Sequence, residues 1–140
     1  MKKYFFSFTV ILTLFIACKK ENNTPAVAAM DRVDTSAAVV YSGNFVKGPY
    51  GTVSGKAKIL SKEGRFTLVL ENVTISNGPD LHVYLSRELL PVNFIDLGKL
   101  KSVGGTQVYE VPEAPNFTQY KYALVHCQLF NHLFGSAPLL

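Results

Sequence analysis

The feature that most constrains the fold of this 140-residue chain is an alternation of apolar and polar side chains with a period of two, which begins at Ala38. Val53, Ala57 and Ile59 alternate with polar side chains, and the same pattern returns at residues 66–70. An extended strand places successive side chains on opposite faces, whereas a helix repeats its apolar positions every three to four residues. The pattern therefore predicts β-strands with one buried face.

Turn signals separate these apolar segments. Lys62-Glu63-Gly64 predicts a hairpin between the first two strands, and Asn77-Gly78-Pro79-Asp80 predicts a turn before a strand over residues 81–86. Three more strands are expected around residues 39–46, 107–111 and 122–127. Several short strands with Gly, Pro and Asn between them are typical of an all-β fold, here a single-domain antiparallel β-sandwich or small barrel.

The N-terminus has the organisation of an export signal. Lys2 and Lys3 precede an apolar run over residues 4–17, which is shorter than the roughly 20 residues that a membrane-spanning helix needs. The run ends in Leu14-Phe15-Ile16-Ala17-Cys18, which resembles a bacterial lipobox. We therefore predict a lipoprotein signal peptide over residues 1–17 and lipidation of Cys18.

The segment after Cys18 is polar and small, so it cannot bury enough apolar surface to fold alone. We predict a lipidated cysteine and flexible linker over residues 18–37, followed by a β domain over residues 38–140. The expected location is the bacterial cell envelope, with the lipid anchor binding the chain to a membrane. The outer membrane or the periplasmic face is favoured, and Lys19 after the cysteine resembles the sorting signal for the outer membrane.

Charge and motif content narrow the function classes. Loss of Lys2 and Lys3 leaves 12 of the 14 basic residues against 10 acidic ones, with no basic cluster, so nucleic acid is disfavoured as a partner. The sequence shows no Ser/His/Asp grouping and no paired carboxylates. Hydrolytic enzyme activity is therefore unsupported, and a stand-alone enzyme is not expected.

The chain has two cysteines, and lipidation of Cys18 would leave Cys127 without an internal partner. An unpaired cysteine in an oxidising compartment is a buried inert thiol, a metal or haem ligand, or a redox thiol. Alternation places Cys127 on one strand face with Ala123 and Val125, and His126 on the other. An apolar face of this kind favours a buried thiol, so a structural role stays open beside a functional one.

A copper site is a further alternative for the same cysteine. His82, Cys127 and His132 follow in outline the ligand order of a mononuclear copper site, with Gln128 or a backbone carbonyl as the axial ligand. No Met follows His132, and alternation places His82 on a polar face where a lone histidine is commonly solvated. Convergence of these three ligands on one ion is therefore disfavoured.

Four segments in order resemble one known family, and they include the lone cysteine. They are residues 78–86, 96–101 and 105–112, and Ala123-Leu124-Val125-His126-Cys127 with the Phe130 and Phe134-Gly135-Ser136-Ala137 that follow. Together they resemble the DM-thirteen domain family, proposed to serve electron transfer. The resemblance implies that Cys127 is the family's hallmark cysteine, acting as a redox thiol or as a ligand to a group such as haem.

The resemblance gives the functional expectation. We expect a lipid-anchored envelope domain that transfers electrons through Cys127, with a redox protein as its partner. The thiol is expected to be partly accessible and to lie near a positive group, for which His126, His132 and Lys121 are the candidates. The alternative is a non-redox envelope binding domain in which Cys127 is structural.

Overall fold

The computed structural model describes residues 29–140. The predicted signal peptide and Cys18 lie outside these residues. The described residues form ten strands and no helix. This part of the chain therefore has no helix that could span a membrane. The strands are β1 (Ala29–Met30), β2 (Ala38–Asn44), β3 (Val46–Lys47), β4 (Val53–Lys62), β5 (Arg65–Ile75), β6 (Leu81–Ser86), β7 (Phe94–Lys99), β8 (Gly104–Val111), β9 (Tyr122–Cys127) and β10 (His132–Pro138).

The strands form two five-stranded sheets that pack face to face. The first sheet has the order β1-β8-β5-β4-β2, and the second has the order β3-β10-β9-β6-β7. All pairs are antiparallel except the short β1–β8 pair. The prediction of an all-β fold is confirmed. The sequence left a sandwich and a small barrel open, and the structure is a sandwich and not a closed barrel.

The β4–β5 hairpin forms where the sequence predicts it. Lys62 pairs with Arg65, which leaves Glu63 and Gly64 as a two-residue loop. Both loop residues have positive φ angles, 50° and 77°. A two-residue loop of this kind matches the right-handed twist of the flanking strands, and glycine adopts the required conformation without steric cost.

The sheet begins upstream of the predicted domain boundary at residue 38. Ala29 and Met30 pair with Gly105 and Thr106 of β8. Asp31 then accepts hydrogen bonds from the Lys101 ammonium (2.6 Å) and the Val108 amide (3.0 Å). These two hydrogen bonds lower the pKa of Asp31, and the bond from Lys101 has the larger effect. Residues 29–31, which the sequence places in a linker, are thus held against the edge of the first sheet.

The central strands of the second sheet are buried on both faces. All six residues of β6 and five of the six residues of β9 are buried. Their inward side chains, which include Val83, Leu85 and Val125, belong to the core between the sheets. Among their outward side chains, Tyr84 and Leu124 are at most 1% exposed. Polar groups on this outer face must therefore find partners within the protein.

Gln107 on β8 is a fully buried polar side chain that fixes the loop before its own strand. Its carbonyl oxygen accepts hydrogen bonds from the Lys101 amide (3.1 Å), the Ser102 amide (3.2 Å) and the Tyr109 hydroxyl (2.7 Å). Its amide donates to the Ser102 carbonyl at 2.7 Å. Since each unmet buried polar group costs free energy, this network specifies the position of residues 101–104.

We predict that Gln107→Leu lowers the free energy of unfolding by about 1 to 3 kcal/mol, because it leaves the Ser102 amide and carbonyl without their partner. Urea unfolding followed by circular dichroism measures the change. Gln119→Leu, at an exposed position, is the matched control and should change stability by less than about 0.5 kcal/mol. Equal stability of the two variants would contradict the role assigned to Gln107.

The same network makes stability depend on alkaline pH. Burial is the main cause that raises the pKa of Tyr109 to about 12, against about 10 in an unfolded chain. The Tyr109 contribution is therefore present below pH 10 and is lost as the pH rises toward 12. Tyr109→Phe should lose about 1 kcal/mol less stability than the wild type between pH 9 and pH 11. Parallel pH profiles for the two proteins would contradict this prediction.

Candidate functional site

Cys127 is the last residue of β9 and lies in the core. Its register partners are Leu81 on β6 and His132 on β10. It is 1% exposed and clusters with the inward side chains Ala123 and Val125, while His126 is not part of that core. The predicted strand faces are therefore confirmed. The expectation of a partly accessible thiol is wrong, because the first sheet packs over the inner face of β9.

The structure does not assemble the three residues of the copper alternative. His82 lies on the outer face of β6, so the sheet itself separates it from Cys127. The ring of His132 stacks on Tyr50, with ring centroids 3.7 Å apart and planes 2° apart. Within residues 29–140, no three His, Cys, Asp or Glu side chains are grouped as a metal site.

Haem does not fit at Cys127 in this structure. A thiolate ligand to haem iron needs an open side toward the macrocycle, and the thiol is enclosed by core side chains. Two surface depressions of about 430 and 380 Å³ border the β4–β5 hairpin. Cys127 does not line either of them.

A polar cluster lies on the other side of β6 and β9. His82 and His126 are direct cross-strand partners and share the outer face with Tyr84. The Nδ1 atom of His82 lies 3.0 Å from Oδ2 of Asp96 on β7, and its Nε2 atom lies 3.5 Å from Oδ1 of Asp80. We call His82, His126, Asp80 and Asp96 the outer-face cluster. Sequence reasoning expected His82 to be solvated, but it is only 8% exposed.

Two ring nitrogens in this cluster have no hydrogen-bond partner although they are buried: Nε2 of His82 and Nδ1 of His126. Burial is the main cause that lowers the pKa of His126, and it outweighs a side-chain hydrogen bond with Asn131 that acts in the opposite direction. The lowered pKa favours the neutral imidazole, which carries a lone pair on one nitrogen. Unmet buried polar atoms of this kind are uncommon in folded proteins and need an explanation.

An aromatic series connects the cluster with the surface. The ring of Phe94 stacks on Tyr84 at a centroid distance of 4.3 Å, and Tyr84 lies 5.4 Å from the ring of His126. Phe94 is 38% exposed, whereas Tyr84 is buried, which raises the pKa of its hydroxyl. The Gln128 amide donates to that hydroxyl at 3.1 Å. The series therefore runs from solvent to the residue that precedes Cys127.

Comparison with known proteins gives one match. A family model described as "Electron transfer DM13" matches residues 44–139. No curated protein and no solved structure matches the chain.

The burial of Cys127 leads to a prediction about its reactivity. We expect a thiol reagent to modify the folded protein slowly and the urea-unfolded protein at once, because the reagent must reach a group that is 1% exposed. Cys127→Ser should lower stability by about 1 to 3 kcal/mol, because it buries a hydroxyl in an apolar core. Rapid alkylation of the native protein would contradict the packing described above.

Proposed function

Because a model of the DM13 electron-transfer family matches residues 44–139, the chain belongs to that family, and from this premise we propose that it is a lipid-anchored electron-transfer domain of the bacterial cell envelope. In this proposal Cys127 is the redox residue and the described β-sandwich is its insulating scaffold. The observation that carries the proposal is the placement of the lone core thiol directly after His126, where the aromatic series from the surface ends.

The burial of Cys127 defines which redox chemistry is open to it. A thiol enclosed in the core cannot meet a second thiol, so exchange through a mixed disulfide is disfavoured. One-electron chemistry needs no such contact. Oxidation would remove one electron and one proton from the thiol, with a one-electron centre of a partner protein as the oxidant. Cys127 is the last residue of β9, so the proton would pass to solvent beside the exposed residues 128–131.

Phe94 and the loop before it supply a surface for that partner. Leu89, Leu90 and Val92, which are close in sequence in the β6–β7 loop, are exposed, as is Phe94 at the start of β7. A cluster of apolar residues on a solvent-exposed surface marks an interaction site more often than scattered apolar residues do. A partner seated on this patch would contact Phe94, and the electron would pass outward from Cys127 through His126 and Tyr84 to the partner.

A photochemical experiment tests the redox role. We expect a one-electron photo-oxidant in solution to oxidise the wild-type protein at Cys127, and electron paramagnetic resonance of the irradiated, frozen protein should detect the thiyl radical directly, without a reagent that has to reach the buried sulfur. Cys127→Ala should abolish that signal, and Phe94→Leu should slow its formation several-fold. Phe130→Leu is the matched control, because Phe130 is also exposed but its ring lies near His132 rather than Tyr84.

Equal oxidation of Cys127→Ala and the wild type would overturn the role of Cys127. The domain would then act as an envelope binding domain with a structural cysteine. A signal that depends on Cys127 but not on Phe94 would keep the redox residue and reject the aromatic route.

The lipid anchor is supported by the basic residues, the apolar run and the lipobox-like segment that ends at Cys18. We predict that Cys18→Ala abolishes incorporation of labelled fatty acid and leaves the leader uncleaved, because the acyl chains attach through that sulfur. Metabolic labelling with a radioactive fatty acid measures this. Cys127→Ala is the matched cysteine control and should be labelled as the wild type is. Undiminished label on Cys18→Ala would end the lipoprotein proposal.

A further inference from the structure

We infer that His82 and His126 form a binding site for a late first-row transition-metal ion, with copper preferred, on the outer face of β6 and β9. This site lies on the opposite face of the sheet from the Cys127 side chain. The inference does not depend on the proposed redox role of that thiol. It goes beyond the proposed function because it assigns the domain a bound metal ion.

The first argument is the position of the two imidazoles. His82 and His126 are directly opposed on antiparallel neighbouring strands. Side chains at such positions have Cβ atoms about 4.5 to 5.5 Å apart and can converge above the sheet. Two imidazoles on rigid strands are therefore held close together before any ligand arrives, which reduces the entropy lost on binding.

The second argument is the pair of free nitrogens. Nε2 of His82 and Nδ1 of His126 are buried and have no hydrogen-bond partner, and both residues are more than nine-tenths buried. A structural histidine in the interior normally satisfies both ring nitrogens. One unmet nitrogen on each of two facing histidines is accounted for when both lone pairs bind the same ion.

The third argument is the arrangement of the carboxylates. Nδ1 of His82 lies 3.0 Å from Asp96, and in the neutral tautomer that donates its Nδ1–H to this carboxylate the lone pair is on Nε2. A metal-binding histidine commonly donates its other N–H to a carboxylate in this way. Asp80 lies 3.5 Å from Nε2 of His82. That spacing is close to the separation between two ligand atoms around one tetrahedral ion with bonds of about 2.0 to 2.2 Å.

The identity of the ion follows from the donor set. Neutral imidazole suits copper, zinc, nickel and iron, and affinity among the divalent ions peaks at copper. The described residues hold no group of three or more protein ligands around one point. The two imidazoles therefore provide the preformed part, and the Asp80 carboxylate or water completes the shell on binding.

Titration of the full-length protein with Cu²⁺ and with Zn²⁺ tests the inference. We expect one equivalent of either ion to bind, with Cu²⁺ tighter, and the electron paramagnetic resonance spectrum of the copper form to show coupling to two imidazole nitrogens. His82→Gln and His126→Gln should each weaken binding at least 100-fold and remove one nitrogen coupling. His132→Gln is the matched control, because this third histidine lies outside the cluster, and it should bind as the wild type does.

Asp96→Asn separates a metal site from a merely structural histidine pair. It should weaken metal binding about 10- to 100-fold, as expected for loss of the carboxylate that orients a ligand, while circular dichroism confirms the fold. It also decides the question if either His→Gln variant fails to fold. Saturable binding that is unchanged in Asp96→Asn or in a folded histidine variant, or no binding by the wild type, would overturn the inference.

Discussion

The burial of β6 and β9 on both faces is the constraint on which the rest of the molecule depends. A strand covered on one side needs only an apolar inner face, and full burial of a Val or Leu side chain contributes about 1.5 to 3 kcal/mol. A strand covered on both sides also needs partners within the protein for its outward polar groups. His82 therefore pairs with Asp96, and the hydroxyl of Ser86 donates to the Glu88 carbonyl at 2.7 Å. The outer-face cluster exists because polar residues occupy positions that this sheet does not expose.

The sequence predicted the elements in which alternation is strong and missed those in which it is weak. The strand predicted at residues 122–127 matches β9, and those around β4, β5 and β6 are confirmed, although β5 continues to Ile75, beyond its predicted apolar pattern. The edge strand β7 was not predicted, because Asp96, Gly98 and Lys99 weaken its apolar pattern. The β10 strand was missed because Gly135, Ser136 and Pro138 are typical of loops. Pairing with β3 and β9 outweighs that local preference, as tertiary context commonly does in sheets.

The candidate site shows the same division between local and long-range information. Alternation alone placed Cys127 on the inner face with Val125, and it correctly separated Cys127 from His82. It could not show that His82 faces His126, because the β6–β9 register is set by packing between segments that are distant in the chain. It also could not show that the outer face of β6 is buried. The copper hypothesis thus named one histidine of the outer-face cluster and missed its cross-strand partner.

The position of β10 has a kinetic consequence. This last strand lies between β3 and β9 in the second sheet, and Leu140 exchanges backbone hydrogen bonds with Ser42 of β2 at 3.1 and 3.2 Å. The chain must therefore close loops of nearly its whole described length before these pairs form, and domains dominated by such distant pairings fold in milliseconds to seconds. A polypeptide that ends before His132 lacks the strand that joins β3 to its sheet, so productive folding waits for the C-terminus.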